Sequence, residues 1–241
     1  MGKWNWQHSD WPNFTWDRQQ IQAYLPSVYH KQGYVAGLVN SLNGTQALIT
    51  KALTENIVAS FAIEGEYLDA TVISDEIERG LGRAFSCDDA KSVGILEGNA
   101  AALISNVFDK SSQDLTLHRL GMWQRCMFER TYSSAQIGQP ATWRTEDIKV
   151  VSGGTYDRKI HFEAPDASRV EIEMEAFLNW FASSRENKEI DSVSRAALAH
   201  LWFVTVHPLE DGNGRSARAV ADLALFQSDS NAVLYPMAPY I

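Results

Sequence analysis

A chain of 241 residues with 45% hydrophobic and 21% charged residues has the balance of a globular protein with a sizeable core, built as one larger domain or two small ones. Its 30 acidic against 21 basic side chains leave a net charge of −9, which argues against a nucleic-acid binder that works through a broad basic surface. Cys87 and Cys126 are too few for a disulfide framework and read as free thiols in a reducing cytoplasm; no apolar leader opens the chain, and the longest apolar run, 196–206, is too short to span a bilayer.

Trp4, Trp6, Trp11 and Trp16 crowd the first sixteen residues, an irregular stretch whose rings either clip it onto helices by burial or face a partner. Helical pattern begins at Asp17, with a break expected near Pro26. A second helix is predicted from Thr45 to about Ile63: Leu48, Ile49, Ala52, Leu53, Val58 and Phe61 follow a 3.6-residue period, and Gly65 is placed to end it. Ser74-Asp75-Glu76 precedes a short helix ending near 80–82, another runs from Asp88 to Val107, and 116–128 is amphipathic around Leu117, Leu120, Met122, Trp123 and Met127. Between Thr142 and Pro165 the period changes. Residues 148–151 and 159–162, separated by Ser152-Gly153-Gly154-Thr155, read as a small β-hairpin, which needs a packing or binding reason because two strands alone are marginal. Helices return over 170–182 and 194–206, so the predicted class is mainly α.

The densest chemistry lies in His207-Pro208-Leu209-Glu210-Asp211-Gly212-Asn213-Gly214-Arg215-Ser216-Ala217-Arg218. A Gly-Asn-Gly turn lets backbone N–H groups converge on an anion, and the turn-free run through Phe226 reads as a helix whose N-terminus favours negative charge. Arg215 and Arg218 share a face near that start, where cations oppose the helix dipole and so serve a ligand better than the helix; guanidinium forks suit phosphate oxygens. Asp211 is a hard oxygen ligand suited to Mg²⁺ or a cap for the helix, and His207 is a proton acceptor at neutral pH. Gly212-x-Gly214-x-x-Ala217 is formally a dinucleotide fingerprint, yet the repeated βαβ units of a Rossmann fold are missing from the pattern. The reading is a nucleotide phosphate site with its own base.

This stretch resembles the signature of Fic proteins, H-x-F-x-[DE]-G-N-G-R-x-x-R, with Leu209 where the family has Phe; both are apolar, so packing beneath the loop changes more than chemistry. The resemblance implies transfer of AMP from the co-substrate ATP to a Ser, Thr or Tyr hydroxyl of a target protein. It implies His207 as general base, Asp211 as the Mg²⁺ ligand, Gly212 and Gly214 as amide donors, Asn213 at the α-phosphate, Arg215 at the β-phosphate and Arg218 at the γ-phosphate. Ser60-Phe61-Ala62-Ile63-Glu64-Gly65 resembles the [ST]-x-x-x-E-[GN] inhibitory motif of many Fic proteins. By that likeness Ser60 and Glu64 belong to an inhibitory helix (about 45–65), and Glu64 pairs with Arg218 to keep the γ-phosphate out.

The resemblance further implies a Fic-type helical bundle with a hairpin flap (about 148–163) holding the target. An N-terminal helical region, similar at its Trp-rich start to a domain of unknown function found before some bacterial Fic domains, precedes it; the expected division is 1–112 and 113–241. The implied partners are ATP and an unidentified target protein, with no nucleic acid and no membrane; a homo-oligomer is left open, and the expected location is cytoplasmic. Relatives of this layout continue with further helices, so 231–241 reads as the first loop of such a continuation, with Tyr235 or Met237 lining an adenine pocket. Two alternatives stay open: removal of AMP by the same site, and a silent core serving as a protein-interaction module.

Overall fold

A computed structural model describes residues 3–41, 45–80, 95–128, 141–153, 157, 159–229, 232 and 234–240. In chain order come α1 (Arg18–Ser41), α2 (Thr45–Ile63), α3 (Ala70–Gly80), α4 (Ile95–Asp109), α5 (Leu117–Cys126), the strands β1 (Lys149–Ser152) and β2 (Lys159–Glu163), then α6 (Val170–Ser183), α7 (Ser192–Val206) and α8 (Asn213–Ser228). The chain is mainly α with one antiparallel hairpin among the described residues, as its periodicities predict. Within that set no helix is long and apolar enough to cross a membrane.

Two helix boundaries differ from expectation. Pro26 lies inside α1 without ending it. Proline removes one N–H from the ladder, but α1 is largely exposed there, so water satisfies the freed carbonyl. Helix α3 starts at Ala70, ahead of Ser74, because the Asp69 carboxylate accepts the N–H groups of Thr71 (2.8 Å) and Val72 (3.3 Å) as its cap. The expected start of α4 at Asp88 lies outside the described residues. Cys126, fully buried at the end of α5, is disulfide-bonded, which corrects the reading of free thiols. Count and spacing along a chain do not report which sulfurs meet in space.

The core that carries the site is the α6–α7–α8 layer. Met174, Phe177 and Phe181 of α6 meet Trp202, Phe203 and Val206 of α7, with Phe177 edge-on to Phe203 at 5.8 Å. Ala199 on α7 and Ala217, Val220, Leu223 and Ala224 on α8 are buried, and the small side chains let these two helices pack along their length. The N-terminal rings are fastened to this layer: Trp11 and Phe14 lie edge-on to Trp202 at 6.0 and 5.6 Å, and Trp11 Nε1 donates to Glu173 at 2.8 Å. The hairpin pairs Val150 with Phe162 and Val151 with Ile160, so β2 carries one extra residue, His161, as a bulge that twists the ribbon. Lys149 and Glu163 form an ion pair at its foot (2.5 Å).

Candidate active site

The turn from α7 into α8 is fixed by its own residues. Gly212 sits at φ +81°, and a Cβ there would lie 3.1 Å from Met127 Sδ. Asn213 is buried and spends its side chain on Leu209, accepting that residue's N–H (2.9 Å) and donating to its carbonyl (2.7 Å). Leu209 is itself fully buried, so the apolar position of the signature anchors the loop from below. These bonds hold the first turn of α8, with its unpaired amides, at the edge of the core.

A Schellman turn ends α2. With Gly65 at φ +82°, Gly65 N–H bonds the Ala62 carbonyl (2.9 Å) and Glu66 N–H that of Phe61 (3.1 Å). That geometry delivers Glu64 and Glu66 to the start of α8. Arg218 donates through Nε to Ser60 Oγ (2.7 Å) and through Nη2 to the Ser60 carbonyl (2.8 Å) and the Glu64 carboxylate (2.7 Å). A Cβ on Gly214 would overlap the Glu64 carboxylate, so this acid lies directly over the first turn of α8. Arg215 is 3% exposed; its guanidinium lies 5.0 Å from the rings of both Phe61 and Phe128 and donates to Glu66 (2.8 Å) and the Met127 carbonyl (3.1 Å). Both arginines expected to hold phosphates are thus held by carboxylates from the end of α2. An Arg218–Asp222 pair along α8 is not what forms: Asp222 accepts from Asn56 at 2.7 Å.

His207 caps α7 in the left-handed region (φ +52°), and this conformation swings its ring out of the helix. Its Nδ1 lies 3.2 Å from the Val204 carbonyl. A carbonyl can only accept, so Nδ1 carries the proton and Nε2 is left as a lone-pair acceptor. Burial pushes the imidazole below its ordinary value; the Val204 bond and the charge of Glu64 oppose that shift, and the Arg144 cation adds to it. Arg144 is the residue that fixes this corner. Its Nε donates to the His207 carbonyl (2.7 Å), Nη1 to that of Glu146 (2.9 Å), and Nη2 to Pro165 and to Val206 (3.4 Å), while its backbone N–H bonds Pro208 (2.9 Å). One buried side chain thereby ties the foot of the hairpin to the end of α7.

Asp211 is 74% exposed; its Oδ1 takes the Gly212 N–H at 2.6 Å, and its other oxygen has no partner among the described residues. Of the expected residues, Ser60, Glu64, Asp211, Gly212, Asn213, Gly214, Arg215 and Arg218 gather around the start of α8, with His207 one turn away. Tyr235 and Met237 line a separate cavity of about 490 Å³, which reaches Arg218, His200 and Asp222 but has neither His207 nor Asp211 in its walls. Glu66 and Arg144 escaped the sequence reading. The one signal for Glu66 was its place directly after the glycine that ends α2.

The family model described as "Fic/DOC family" matches residues 114–225, and that described as "Domain of unknown function (DUF4172)" matches 4–83. Protein adenylyltransferase fic-1 of Caenorhabditis elegans is 46% identical over 48 residues, 20% of this chain and 9% of that protein. Protein adenylyltransferase Fic of Drosophila mojavensis is 35% identical over 93 residues, 37% of this chain and 18% of that protein. These matches therefore span only a small part of the curated relatives' length. Among solved structures, a Fic family protein from Desulfovibrio desulfuricans G20 aligns with a TM-score of 0.64 at 20% identity, covering 95% of this chain and 63% of that one. A Fic domain containing signaling protein from Bacteroides thetaiotaomicron VPI-5482 aligns with a TM-score of 0.62 at 16% identity, covering 85% and 72%. The helical fold, the domain match and the adenylyltransferase relatives agree: residues 114–225 carry a Fic/DOC domain, which follows a DUF4172 domain over 4–83.

Proposed function

We propose that the protein is an adenylyltransferase that moves AMP from ATP to a Ser, Thr or Tyr hydroxyl of a target protein, and that the state described here is its blocked form. The observation that carries the reading is the combination of a His207 Nε2 that has no partner among the described residues with an α8 N-terminus whose two arginines are engaged by Glu64 and Glu66. Carboxylates stand where phosphates would be favoured by the same guanidinium groups and dipole.

In the reaction, His207 Nε2 takes the proton of the attacking hydroxyl. That oxygen forms a bond to the α-phosphorus of ATP as the bond from this phosphorus to the bridging oxygen breaks, and pyrophosphate leaves. The amides at the start of α8 and the arginines, once released, stabilise the growing negative charge, and little covalent work is asked of the protein. The exposed second oxygen of Asp211 fits one position of a Mg²⁺ shell. Bound there, Mg²⁺ would neutralise phosphate charge.

The test uses labelled ATP and a cell lysate with Glu64→Gly and with Glu64→Gly/His207→Ala. The single variant should transfer label; the double variant should transfer none while keeping its ATP affinity, because the base contacts the hydroxyl and holds no phosphate. Equal labelling by both would overturn the role of His207.

A further inference from the structure

His207 opens into a cleft of about 440 Å³ with three sides. One side is α7, through Leu201 and Val204; another is the hairpin, through Val150 and Phe162; the third comes from the opposite end of the chain, through Lys3, Trp4 and Asn5. None of residues 211–218 lines it, so the cleft reaches His207 from a direction separate from the phosphate site.

The N-terminal side is a built wall. Gln7 Oε1 accepts the N–H groups of Lys3 (2.8 Å) and Trp4 (3.1 Å), which closes residues 3–7 into a turn. Asn5 Nδ2 donates to Thr205 Oγ1 on α7 (2.9 Å), and Trp6 Nε1 donates to the Glu163 carbonyl on β2 (2.7 Å). The Trp4 ring meets Phe162 edge-on at 5.4 Å and remains only half-buried. Anchoring does not require Trp4, since Trp11 and Phe14 already fasten the segment to Trp202. The Lys3 ammonium lies over the Trp4 ring at 4.4 Å, and the ring lines the cleft together with Val150 and Leu201, which are 42% and 43% exposed.

With the hairpin taken as the flap that holds the modified segment against this cleft, we infer that the N-terminal wall, through Trp4, selects which segment is held. The inference rests on the proposed AMP transfer. A hydroxyl must come within about 3 Å of His207 Nε2, so the residue that bears it enters here, and its chain lies against the hairpin. An apolar side chain next to that residue then fits between Trp4, Val150 and Phe162, where its burial adds affinity. The occupant is an extended polypeptide with an apolar residue adjacent to Ser, Thr or Tyr. This gives the N-terminal domain a part in choosing targets.

The experiment separates docking from chemistry. Immobilised wild-type protein, without ATP, is offered a degenerate library of Thr-centred peptides, and the bound fraction is sequenced. An apolar residue beside Thr should be enriched, and Trp4→Ala should reduce that enrichment at least tenfold, with Tm and ATP affinity unchanged. Trp4→Phe should retain it. Should Trp4→Ala lower Tm, Trp4→Leu, which keeps an apolar contact with Phe162, carries the comparison and should shift the preferred neighbour. No enrichment with wild type, or the same enrichment with every variant, overturns the inference. Peptide selection needs no catalysis, so failure here with intact AMP transfer removes the cleft assignment alone, and the converse result removes the transferase reading alone.

Discussion

Arg218 and Glu64 meet at 2.7 Å across 154 residues of sequence, the acid 37% exposed and the guanidinium 10% exposed. Two further bonds from Arg218 to Ser60 align the guanidinium with the end of α2, so three bonds fix it against that one stretch. Losing one partner of this partly desolvated pair frees the other for a new anion. Glu64→Gly should therefore raise transfer of label at least tenfold, the change expected if the pair favours the blocked state by about 1.4 kcal/mol. Arg218→Ala should not reproduce the gain, because on the proposed function it also deletes a phosphate ligand. A fall in transfer with Glu64→Gly, together with lost AMP release from a pre-modified target, would point to AMP removal as the natural reaction.

A second clasp predicts a second increment. Glu66 holds Arg215 at 2.8 Å while the phenyl rings of Phe61 and Phe128 flank the guanidinium, whose Nε has no acceptor among the described residues. Glu66 is partly solvated, so solvent screening keeps the pair weak, about 0.5–1 kcal/mol. Glu66→Gln should tighten ATP binding by roughly two- to fivefold, measured by calorimetry in the Glu64→Gly background. The same gain should vanish when Arg215 is also replaced, which a double-mutant cycle would read out.

What the sequence made legible was local. The 3.6-residue period of 45–63 ending at Gly65, the period change at the hairpin, and the Gly-Asn-Gly turn before an Ala-rich helix each express one backbone geometry within a few residues. The candidate site followed because the groups proposed to face phosphate fall within twelve residues. Contacts spanning long separations left no pattern. Arg144 looks like any exposed arginine until the fold brings the His207 carbonyl to it across 63 residues, and Glu66 gains a role only through the turn at Gly65. Pro26 misled because the rule about proline concerns a missing hydrogen bond, which an exposed helix survives.

Arg144 offers a prediction about the base. Its side chain satisfies carbonyls of Val206 and His207, which a helix end otherwise leaves unpaired, and so holds His207 in its left-handed conformation. Arg144→Met should lower transfer by roughly 100-fold, the cost typical of a small displacement of a reacting group, with ATP affinity preserved. The cation also disfavours the imidazolium, so its loss raises the imidazole's value and moves the acid limb of the rate profile to higher pH. Arg144→Lys keeps the charge and should leave that limb near its original place while recovering part of the rate. Rate against pH for the three proteins, with imidazole titration by NMR, checks both statements.

The last prediction concerns Asp222, buried on α8 behind the arginines. Burial raises its carboxyl from 3.8 to about 7, although the Asn56 bond and the Arg218 charge both oppose the shift. Folded protein keeps this proton until about pH 7, whereas the unfolded chain releases it near 3.8. Folding therefore takes up a proton between those values, and stability falls as pH rises through the window, by at most about 1.4 kcal/mol per pH unit, before levelling off. Asp222→Asn keeps an acceptor for Asn56 and removes the titration. Its Tm should match wild type near pH 4 and exceed it by a margin that grows up to pH 7 and then stays constant, roughly 2–4 °C per kcal/mol for a chain of this size. Melting curves from pH 4 to 8 decide the matter. A difference independent of pH would mean that Asp222 is ionised in the folded state throughout, held so by Arg218 and Asn56.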